Sequence, residues 1–453
     1  MFHLPASMLT ALKIFSPVFS APTYQNLLML LFGHVLCKGR RTVTQVLRQL
    51  SLKNIKNFSK YHEVFSKAKW SPLAAAKVLF LKLITLSQHN ILVSIDSTVE
   101  RRKGPKIKGL GRQRDAVRSS KNKKVLTIGL NWLVTAIHIT MPWSDRCWAF
   151  PFLTILMPPE RPLSSSKNHH DLKKKAKHKT LNDWACQVAL TLRRWLGSCK
   201  SLTLVAVSGF ATYKLANICI DLGIALISRM RLDARFYDFP PEQLGKKGRK
   251  RIVGSRLPTP KAALEQTFYA WTLAQVAWYG GEQKNIEFST GICLWYGYGI
   301  RPVPIRWVLV RDPRGGCEPV CLFSTNVNAS PIGIIEAFVT RWQIEITFEE
   351  ARRHLGIETQ RQWSDRAVER ITPSLFASFS IINLIALEFN KSSHEAVTVQ
   401  TCSWYKKKHV TFSDVVAYVR EKLLREKYFL GFGKMFDPQK FDIEELITQM
   451  AAA

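Results

Sequence analysis

The spacing of apolar residues changes from a helical to a strand-like pattern near residue 90. Before that point apolar side chains recur every three to four positions, which predicts helices at residues 24–36, 43–47 and 74–86. After it, short runs rich in Val, Ile and Thr predict strands at residues 91–95, 125–139 and 148–157. Helices at 181–196 and 211–222 then alternate with strands at 201–207 and 224–228. The order β-β-β-α-β-α-β predicts an α/β fold with a mixed sheet flanked by helices.

A second group of strands is predicted after residue 239, where prolines bracket a basic run at residues 246–251. Four strands follow, at residues 268–278, 286–296, 305–310 and 320–323, and then helices at 332–355, 376–389 and 413–427. These changes of pattern predict five regions. They are a helical N-terminal domain at 1–88, the first part of a core at 89–238, a β-rich insertion at 239–328, the second part of the core at 329–395, and a C-terminal helical region at 396–453.

The charge balance indicates the kind of partner. The chain carries 66 Lys and Arg residues against 33 Asp and Glu residues, a formal net charge of +33. Such a surface favours a polyanion, most commonly nucleic acid, although a ribosome-associated or membrane-surface protein is an alternative. Basic tracts lie at residues 101–124, 167–179 and 246–251, and each one taken alone is also typical of a solvated loop. The candidate DNA contacts in these tracts are Arg101, Arg102, Lys103, Lys246, Lys247 and Arg249.

Membrane and secreted proteins are not favoured by the sequence. The longest apolar stretches, at residues 26–37 and 78–95, are interrupted by His34, Lys82 and His89. Neither stretch supplies the ~20 consecutive apolar residues of a membrane span. The first residues lack the basic and then apolar pattern of an export signal, which predicts a cytoplasmic protein. The nine cysteines have no paired C-x-x-C spacing, and this predicts reduced thiols without zinc or disulfides.

Two acidic positions are candidates for chemistry. Asp96 ends the apolar run at 91–95, where a carboxylate can project into a cleft, although capping and turn-forming roles are common at such positions. On a predicted helix, Arg341 and Arg352 lie within about 40° of Glu345 around the axis, so one acid and two guanidinium groups share a face. A surface ion pair at i, i+4 spacing is the ordinary explanation. The aromatic and aliphatic residues around Glu345 disfavour a fully solvated face.

The residues around Glu345 resemble the last acidic motif of DDE transposases of bacterial insertion sequences. In the relevant subgroup a Tyr-x-x-Arg-x-x-x-Glu-x(6)-Lys pattern surrounds the third acid. Arg341 and Glu345 match this pattern outright, while Phe338 stands in the place of Tyr and Arg352 in the place of Lys. The resemblance extends over most of the chain, because the segment 94–98 matches the first acidic motif around Asp96. A β-rich insertion before the third motif is also typical of the subgroup.

This resemblance implies an RNase H-like core and a metal-dependent DNA endonuclease that binds transposon ends and transfers strands. Asp96 and Glu345 would be catalytic ligands of two Mg²⁺ (or Mn²⁺) ions, and Arg341 and Arg352 would contact DNA. The partner implied is double-stranded DNA, both transposon ends and target, with no membrane. A homodimer on paired ends, associated with the bacterial nucleoid in the cytoplasm, is also implied.

Ser208 stands at the position of the second acid of this family. The strand-then-Asp-Gly pattern aligns with residues 204–210, and a neutral hydroxyl is a far poorer bridging ligand than a carboxylate. The other acids considered as replacements do not follow the predicted strand; these are Asp171, Asp183, Asp221 and Asp233. A hydrolase interpretation of Ser208 is disfavoured because Ala206 stands where the G-x-S-x-G motif requires glycine. Two alternatives stay open, a catalytically inactive DNA-binding protein derived from a transposase and a basic nucleic-acid-binding protein without this core.

Overall fold

A mixed sheet of 11 strands forms the centre of the protein. The computed structural model describes residues 5–87, 90–115, 118–120, 122–161, 163, 177–198, 200–241, 250–265 and 269–431. The strands are β1 (Ile91–Arg101), β2 (Gly111–Arg114), β3 (Leu126–Thr140), β4 (Cys147–Met157), β5 (Leu202–Ala206), β6 (Ile224–Met230), β7 (Phe236–Tyr237), β8 (Thr272–Ala277), β9 (Gln283–Trp295), β10 (Val303–Arg311) and β11 (Val320–Ser324). Their order is β2-β3-β1-β5-β6-β11-β10-β9-β7, with β4 paired to β3 and β8 paired to β9.

Helices cover both faces of this sheet. They are α1 (Ala6–Leu12), α2 (Ala21–Leu36), α3 (Val43–Gln49), α4 (Ser59–Ser66), α5 (Pro72–Leu83), α6 (Leu181–Leu196), α7 (Tyr213–Asp221), α8 (Pro260–Glu265), α9 (Pro331–Thr340), α10 (Gln343–His354), α11 (Asp365–Ser393) and α12 (Phe412–Gly431). Short 3-10 helices lie at Lys13–Val18, Ser208–Phe210 and Tyr279–Gly281.

The central strands have the RNase H-like arrangement. β1, β5 and β6 are parallel neighbours, whereas β3 is antiparallel to β1 and β4 is antiparallel to β3. Parallel neighbours require a crossover, and the chain supplies α6 before β5 and α7 between β5 and β6. The predicted α/β fold, a mixed sheet flanked by helices, is confirmed.

The β-rich block that follows extends the same sheet. β11 pairs antiparallel with β6 through Cys321↔Met230 to Ser324↔Ile227, and β10 and β9 continue outwards from β11. The strand at the end of the RNase H-like core therefore has its edge covered. An uncovered edge strand would present a row of unpaired backbone groups. The boundaries of the five regions stay predictions, since this pairing gives continuity of the sheet and not a division into domains.

The N-terminal helices share a hydrophobic core with the sheet. One connected set of buried apolar residues reaches from Met8 in α1 to Leu424 in α12. Within it, Phe80 of α5 packs on Phe152 of β4, with ring centroids 4.7 Å apart. Arg370 of α11 also ties the two parts together, because its guanidinium donates to the carbonyl oxygens of Phe65, Ala68 and Trp70.

The longest helix, α11, runs through this shared core. By length and composition alone it could cross a membrane, but 61% of its most apolar window is buried inside the protein. It packs on β4, where the Ser380 hydroxyl donates to the Pro151 carbonyl oxygen at 2.7 Å. Burial of this kind is typical of a core helix, so α11 is weak evidence for a membrane span.

Two elements differ from the sequence prediction at positions that matter for the site. The strand predicted to end before Asp96 continues to Arg101, because β3 pairs with β1 through Arg101↔Gly129 after β5 has ended. The helix predicted at 332–355 is divided into α9 and α10 by a turn at Arg341 and Trp342.

Candidate active site

Asp96 lies where the parallel ladder of the central strands ends. Pairing of β1 with β5 stops at Ile95↔Ala206, while β1 stays paired with β3 through Asp96↔Val134. Farther along the strand, glycine at position 129 permits a close approach of β3, since a Cβ there would collide with the Glu100 carbonyl oxygen. The Asp96 carboxylate also accepts from the Ser97 backbone N–H at 2.7 Å. A rigid strand therefore presents this carboxylate at the crevice where β5 ends.

The turn between α9 and α10 positions the second half of the site. Backbone hydrogen bonds of 3.0 Å run from Ile344 N–H to the Arg341 carbonyl oxygen and from Glu345 N–H to the Trp342 carbonyl oxygen. These i to i+3 bonds tighten the chain locally. The next turn of α10 is fixed to the sheet, because the buried Thr347 hydroxyl donates to the Ala149 carbonyl oxygen at 2.9 Å. Arg341 and Glu345 are thereby directed towards β1.

Asp96, Arg341 and Glu345 form one cluster. The Arg341 Nη1 atom donates to Asp96 Oδ2 at 3.3 Å and to Glu345 Oε1 at 2.8 Å. These two carboxylate oxygens are therefore separated by no more than about 6 Å, the sum of the two distances. The side chains of Arg341, Asp96 and Glu345 are 6%, 13% and 33% exposed. The cluster is thus buried at its base and opens to solvent on the side of Glu345.

Burial dominates the electrostatics of the cluster. It raises the pKa of the Asp96 carboxyl to about 6, against the opposing effects of the Arg341 charge and the Ser97 N–H, while the Glu345 charge acts in the same direction as burial. Burial also lowers the pKa of His138 on β3 to about 3, with the charge of Arg341 adding to the effect. His138 is therefore neutral near neutral pH, and Arg341 supplies the positive charge between the two acids.

An aromatic residue from a distant hairpin, Tyr279, packs on Trp342 beside the site, and the sequence did not predict this contact. The ring of Tyr279, in the β8–β9 turn, meets the Trp342 ring edge-on at 5.7 Å. Burial raises the pKa of the Tyr279 hydroxyl, and the charges of Arg341 and Glu345 also act on it. The turn needs glycine next to Tyr279, since Gly280 and Gly281 have φ of 78° and 81°. The Tyr-Gly-Gly sequence was the available signal for a tight hairpin, but not for its contact with Trp342.

Ser208 follows the strand that neighbours β1. It begins a 3-10 helix two residues after Ala206, which is the register partner of Ile95. Its side chain is exposed at the same edge of the sheet as Asp96. Ser208 therefore lies just after the end of β5, and its correspondence to the second acid of the family stays a prediction.

The acids considered as substitutes for a carboxylate at Ser208 are engaged elsewhere. Asp183 caps α6 through Thr180 and pairs with Lys214, Asp221 pairs with Arg301 at 2.6 Å, and Asp233 pairs with Arg231 at 2.6 Å. Asp171 lies outside the described residues. Across the part of the chain that the structure describes, no group of three His, Cys, Asp or Glu side chains has the arrangement of a metal site.

The arginines proposed to contact DNA have different surroundings. Arg352 is 35% exposed and holds α10 to β1, because its guanidinium donates to the Thr98 hydroxyl at 2.6 Å and lies 3.5 Å from Glu358. Arg102 is buried, pairs with Glu100 at 2.8 Å and also donates to the Gln362 carbonyl oxygen. Its side chain is therefore withdrawn from any surface that DNA could reach.

The other predicted DNA contacts divide into exposed residues and residues outside the described part. Arg101 is 42% exposed beside Asp115, and Lys103 is exposed. Lys246, Lys247 and Arg249 lie outside the described residues, as does most of the tract at 167–179. Among the candidates in the basic tracts, Arg101 and Lys103 are the described residues that lie exposed on the surface.

A comparison with protein families decides the affiliation of the chain. The family model described as DDE superfamily endonuclease matches residues 15–285, more than half of the 453 residues. The chain belongs to this family. The matched segment of this DDE superfamily endonuclease contains Asp96, Ser208 and Tyr279 and ends before Arg341 and Glu345. No curated protein matches the chain.

Endonucleases of the DDE superfamily typically use divalent metal ions, and the donor atoms present fit one such ion. Asp96 and Glu345 offer hard carboxylate oxygens, which Mg²⁺ and Ca²⁺ prefer. One Mg²⁺ with ligands at about 2.1 Å needs oxygens up to roughly 4 Å apart. The two oxygens that share Arg341 are at most about 6 Å apart, so they would have to approach each other by up to roughly 2 Å to share an ion. The cluster offers these two carboxylates, a number that suits one ion.

Proposed function

We propose that this DDE superfamily endonuclease is a transposase of the insertion-sequence type, which binds transposon-end DNA and has weak activity in cleavage and strand transfer. The observation that carries the proposal is the convergence of Asp96 and Glu345 on one atom of Arg341 at the end of β5. The two acids come from separate parts of the sequence, and such convergence in a crevice is more typical of a functional site than of a surface ion pair.

Asp96 and Glu345 would hold a Mg²⁺ or Mn²⁺ ion, which when bound supplies Lewis-acid activation of a phosphodiester and of the attacking hydroxyl. Arg341 balances the two acids in the free protein. Once a cation binds, its guanidinium becomes available to a DNA phosphate, the partner that arginine matches best after carboxylate. The aromatic rim at Tyr279 and Trp342 limits access of water to the buried side of the cluster.

Ser208 limits the proposed activity. Two carboxylates fit one ion, whereas in-line displacement is best supported by two ions about 3.5–4 Å apart that stabilise both the attacking and the leaving oxygen. The lack of a third carboxylate therefore favours slow cleavage of DNA. The second candidate function is a catalytically inactive DNA-binding protein, and the same residue, Ser208, is the observation in its favour.

The partner and assembly proposed follow from the family and the charge. Double-stranded DNA suits a net charge of +33. Arg101 and Lys103 supply exposed positive charge at the end of β1, the strand that carries Asp96. A homodimer on paired transposon ends, acting at the nucleoid in the cytoplasm, is the arrangement that a transposase of this type would need.

Cleavage of DNA that carries the element's own terminal repeats tests the proposal. The unmodified protein should nick this DNA slowly with Mg²⁺ or Mn²⁺, and Asp96→Ala should abolish nicking without loss of DNA binding. Asp221→Ala is the matched control, since Asp221 is an exposed acid paired with Arg301 away from the cluster. Terminal-repeat binding without any cleavage would favour the inactive DNA-binding protein. Absence of binding to the repeats at low salt would refute both.

A further inference from the structure

A second candidate site lies between the N-terminal helices and the loop that follows α10. There a cavity of about 620 Å³ is lined by α2, by the start of α3, by α4, by α11 and by residues 355–356 and 359–364. We call it the Trp363 cavity; its polar lining residues include His34, Arg41, His62, Gln360, Arg361 and Gln362, and Trp363 also lines it. Its volume is within the range of sites that bind small molecules, about 300–1,000 Å³.

The charged side chains that line the Trp363 cavity are all basic. It contains two arginines and two histidines, and none of its described lining residues is an Asp or Glu. Leucines of α2 and α11 supply an apolar floor. A basic, acid-free wall over an apolar floor suits a flat ring that carries a phosphate, and it disfavours a cation or a basic peptide.

Several polar groups of the cavity wall have no hydrogen-bond partner among the described residues. They are His34 Nε2, Arg41 Nε, Gln360 Oε1 and Gln362 Oε1. Buried polar atoms are nearly always paired, so these four atoms have hydrogen-bonding capacity left for water or for a ligand in the cavity. Two amide oxygens, a guanidinium N–H and a neutral imidazole nitrogen are donors and acceptors of the kind that pair with the edge of a nucleobase.

The mouth of the cavity combines an aromatic ring with positive charge. Trp363 is 58% exposed, and the Lys106 ammonium lies 5.1 Å from the centre of its ring. Lys106 belongs to the basic tract at residues 101–124, so this tract reaches the cavity mouth. An exposed aromatic face beside lysine and arginine is the arrangement on which proteins stack unpaired bases.

The loop that carries part of the cavity wall also contacts the end of β1. The Glu358 side chain accepts from the Arg101 N–H at the end of β1, and Arg352 lies 3.5 Å from the same carboxylate. Arg101 lies five positions after Asp96 on β1, and the distance between them along the strand is roughly 17 Å at 3.3 Å per residue. That distance corresponds to roughly five base steps of duplex DNA.

We propose that the Trp363 cavity receives one unpaired nucleotide of the bound DNA, with Trp363 stacked on the base and Arg41 and Arg361 beside its phosphate. This inference rests on the proposed DNA-processing function and adds a second point of contact with the substrate. The unpaired nucleotide would fix the position of the strand relative to Asp96 and Glu345.

Binding of two duplexes tests the inference. One duplex contains a single unpaired thymidine and the other is fully paired but otherwise identical, so the cost of unpairing is already met in the first. The intact protein should bind the first duplex at least about fivefold more tightly, which is the lower end of what one stacked base contributes. Trp363→Ala should remove this preference and Trp363→Phe should keep part of it, while both retain affinity for the paired duplex.

Trp404→Ala is the matched control. Trp404 is 87% exposed and followed by Lys406, Lys407 and Lys408, but it does not line the cavity. Its loss should leave the preference unchanged, whereas a general effect of exposed tryptophan beside lysine would appear in both variants. With 5-bromodeoxyuridine in place of the unpaired thymidine, ultraviolet crosslinks should map to residues 356–364.

Each other outcome overturns the inference. Equal binding of the two duplexes by the intact protein would show that the cavity does not bind an unpaired nucleotide, and it would not contradict the proposed function. A preference that survives Trp363→Ala would place the unpaired nucleotide elsewhere. Absence of binding to either duplex at low salt would refute both nucleotide binding in the cavity and the proposed function.

Discussion

The Arg341 guanidinium and the Asp96 carboxylate are 245 positions apart in the sequence and meet at 3.3 Å in the crevice beyond β5. The same guanidinium nitrogen holds Glu345 at 2.8 Å. Two acids brought this close in a largely buried place repel each other, and Arg341 offsets the repulsion. A bound cation and Arg341 are therefore alternative ways to neutralise the same pair.

Removal of Arg341 should accordingly make the fold respond to divalent ions. In Arg341→Ala the two carboxylates lose their shared partner, and breaking a buried ion pair from one side costs about 3–5 kcal/mol. Mg²⁺ should recover part of this loss, because a ligand that binds only the folded state stabilises it. We expect millimolar Mg²⁺ to raise the Tm of this variant by a few degrees more than that of the unmodified protein.

Thermal unfolding with Mg²⁺ and with excess chelator measures the difference. Arg352→Ala is the control, since Arg352 lies on the same helix and is bonded to Thr98 and Glu358 rather than to the two acids. A Mg²⁺ effect of equal size in both variants would mean that the ion binds elsewhere.

His34 is one of the buried histidines, with His138, that are expected to make the fold sensitive to acid. Burial lowers the pKa of His34 to about 3, and the charges of Arg41 and Arg420 act in the same direction. The ordinary histidine pKa is 6.5, so the unfolded chain binds a proton below that pH while the folded chain does not. Stability from this residue is therefore present above pH 6.5 and falls as the pH is lowered towards 3.

His34→Gln should flatten this dependence. Between about pH 6 and pH 4 the slope of the unfolding free energy against pH should decrease by up to one proton, roughly 1.4 kcal/mol per pH unit. Urea unfolding across this interval measures it. His62→Gln is the control, because His62 lies in the same cavity wall but is exposed. An unchanged slope in His34→Gln would show that His34 is not held neutral.

The sequence predicted well the parts of this protein that depend on local patterns. The helix at Leu181–Leu196 has the predicted bounds, because its apolar stripe is regular and Gly197 terminates it. The pairing of Asp96 with the Glu345 motif was accessible only through family resemblance, since nothing local encodes a contact over this sequence separation. Trp342 and Tyr279 could not be paired from sequence, because their contact depends on how the β8–β9 turn meets the α9–α10 turn.

Arg102 illustrates the opposite case, in which the local pattern was misleading. Its neighbours are basic and exposed, so composition placed it among the DNA contacts. In the structure Glu100 is 1% exposed and accepts from Arg102, from the Trp132 indole and from the Thr372 hydroxyl. The buried carboxylate comes from the alternation of β1, and its partner is the arginine two positions later.

Arg102 and its neighbour Lys103 should therefore behave differently on substitution. Arg102→Ala leaves Glu100 buried without its cation and should lower the unfolding free energy by about 3–5 kcal/mol. Lys103→Ala should leave stability within about 0.5 kcal/mol of the unmodified value, because Lys103 is exposed. It should instead weaken DNA binding and reduce the slope of log affinity against log salt by about one.

Chemical unfolding and a salt titration of duplex binding separate these effects. Lys69→Ala is the control for charge alone, since Lys69 is exposed on the loop before α5. If Lys69→Ala and Lys103→Ala changed the salt slope equally, the end of β1 would not be a preferred contact. A salt slope near zero for the unmodified protein would exclude phosphate contacts altogether.

Substitution of Ser208 addresses the proposed catalytic defect. Ser208 is exposed at the strand end next to Asp96, so an aspartate there should be tolerated by the fold and add a third carboxylate at the crevice. Three acids would hold two ions where two hold one. We expect Ser208→Asp to increase the Mn²⁺ bound per chain and to raise terminal-repeat cleavage by about 10²-fold or more, because the second ion stabilises the leaving oxygen.

Ser208→Asn is the matched control for this prediction, since it has nearly the same size as aspartate and no charge. Cleavage raised by Asp but not by Asn would assign the defect to the missing negative ligand. The gain must also disappear when Ser208→Asp is combined with Asp96→Ala, because both residues act on the same ions. An increase in Mn²⁺ binding without an increase in cleavage would contradict the assignment of the defect to metal occupancy alone.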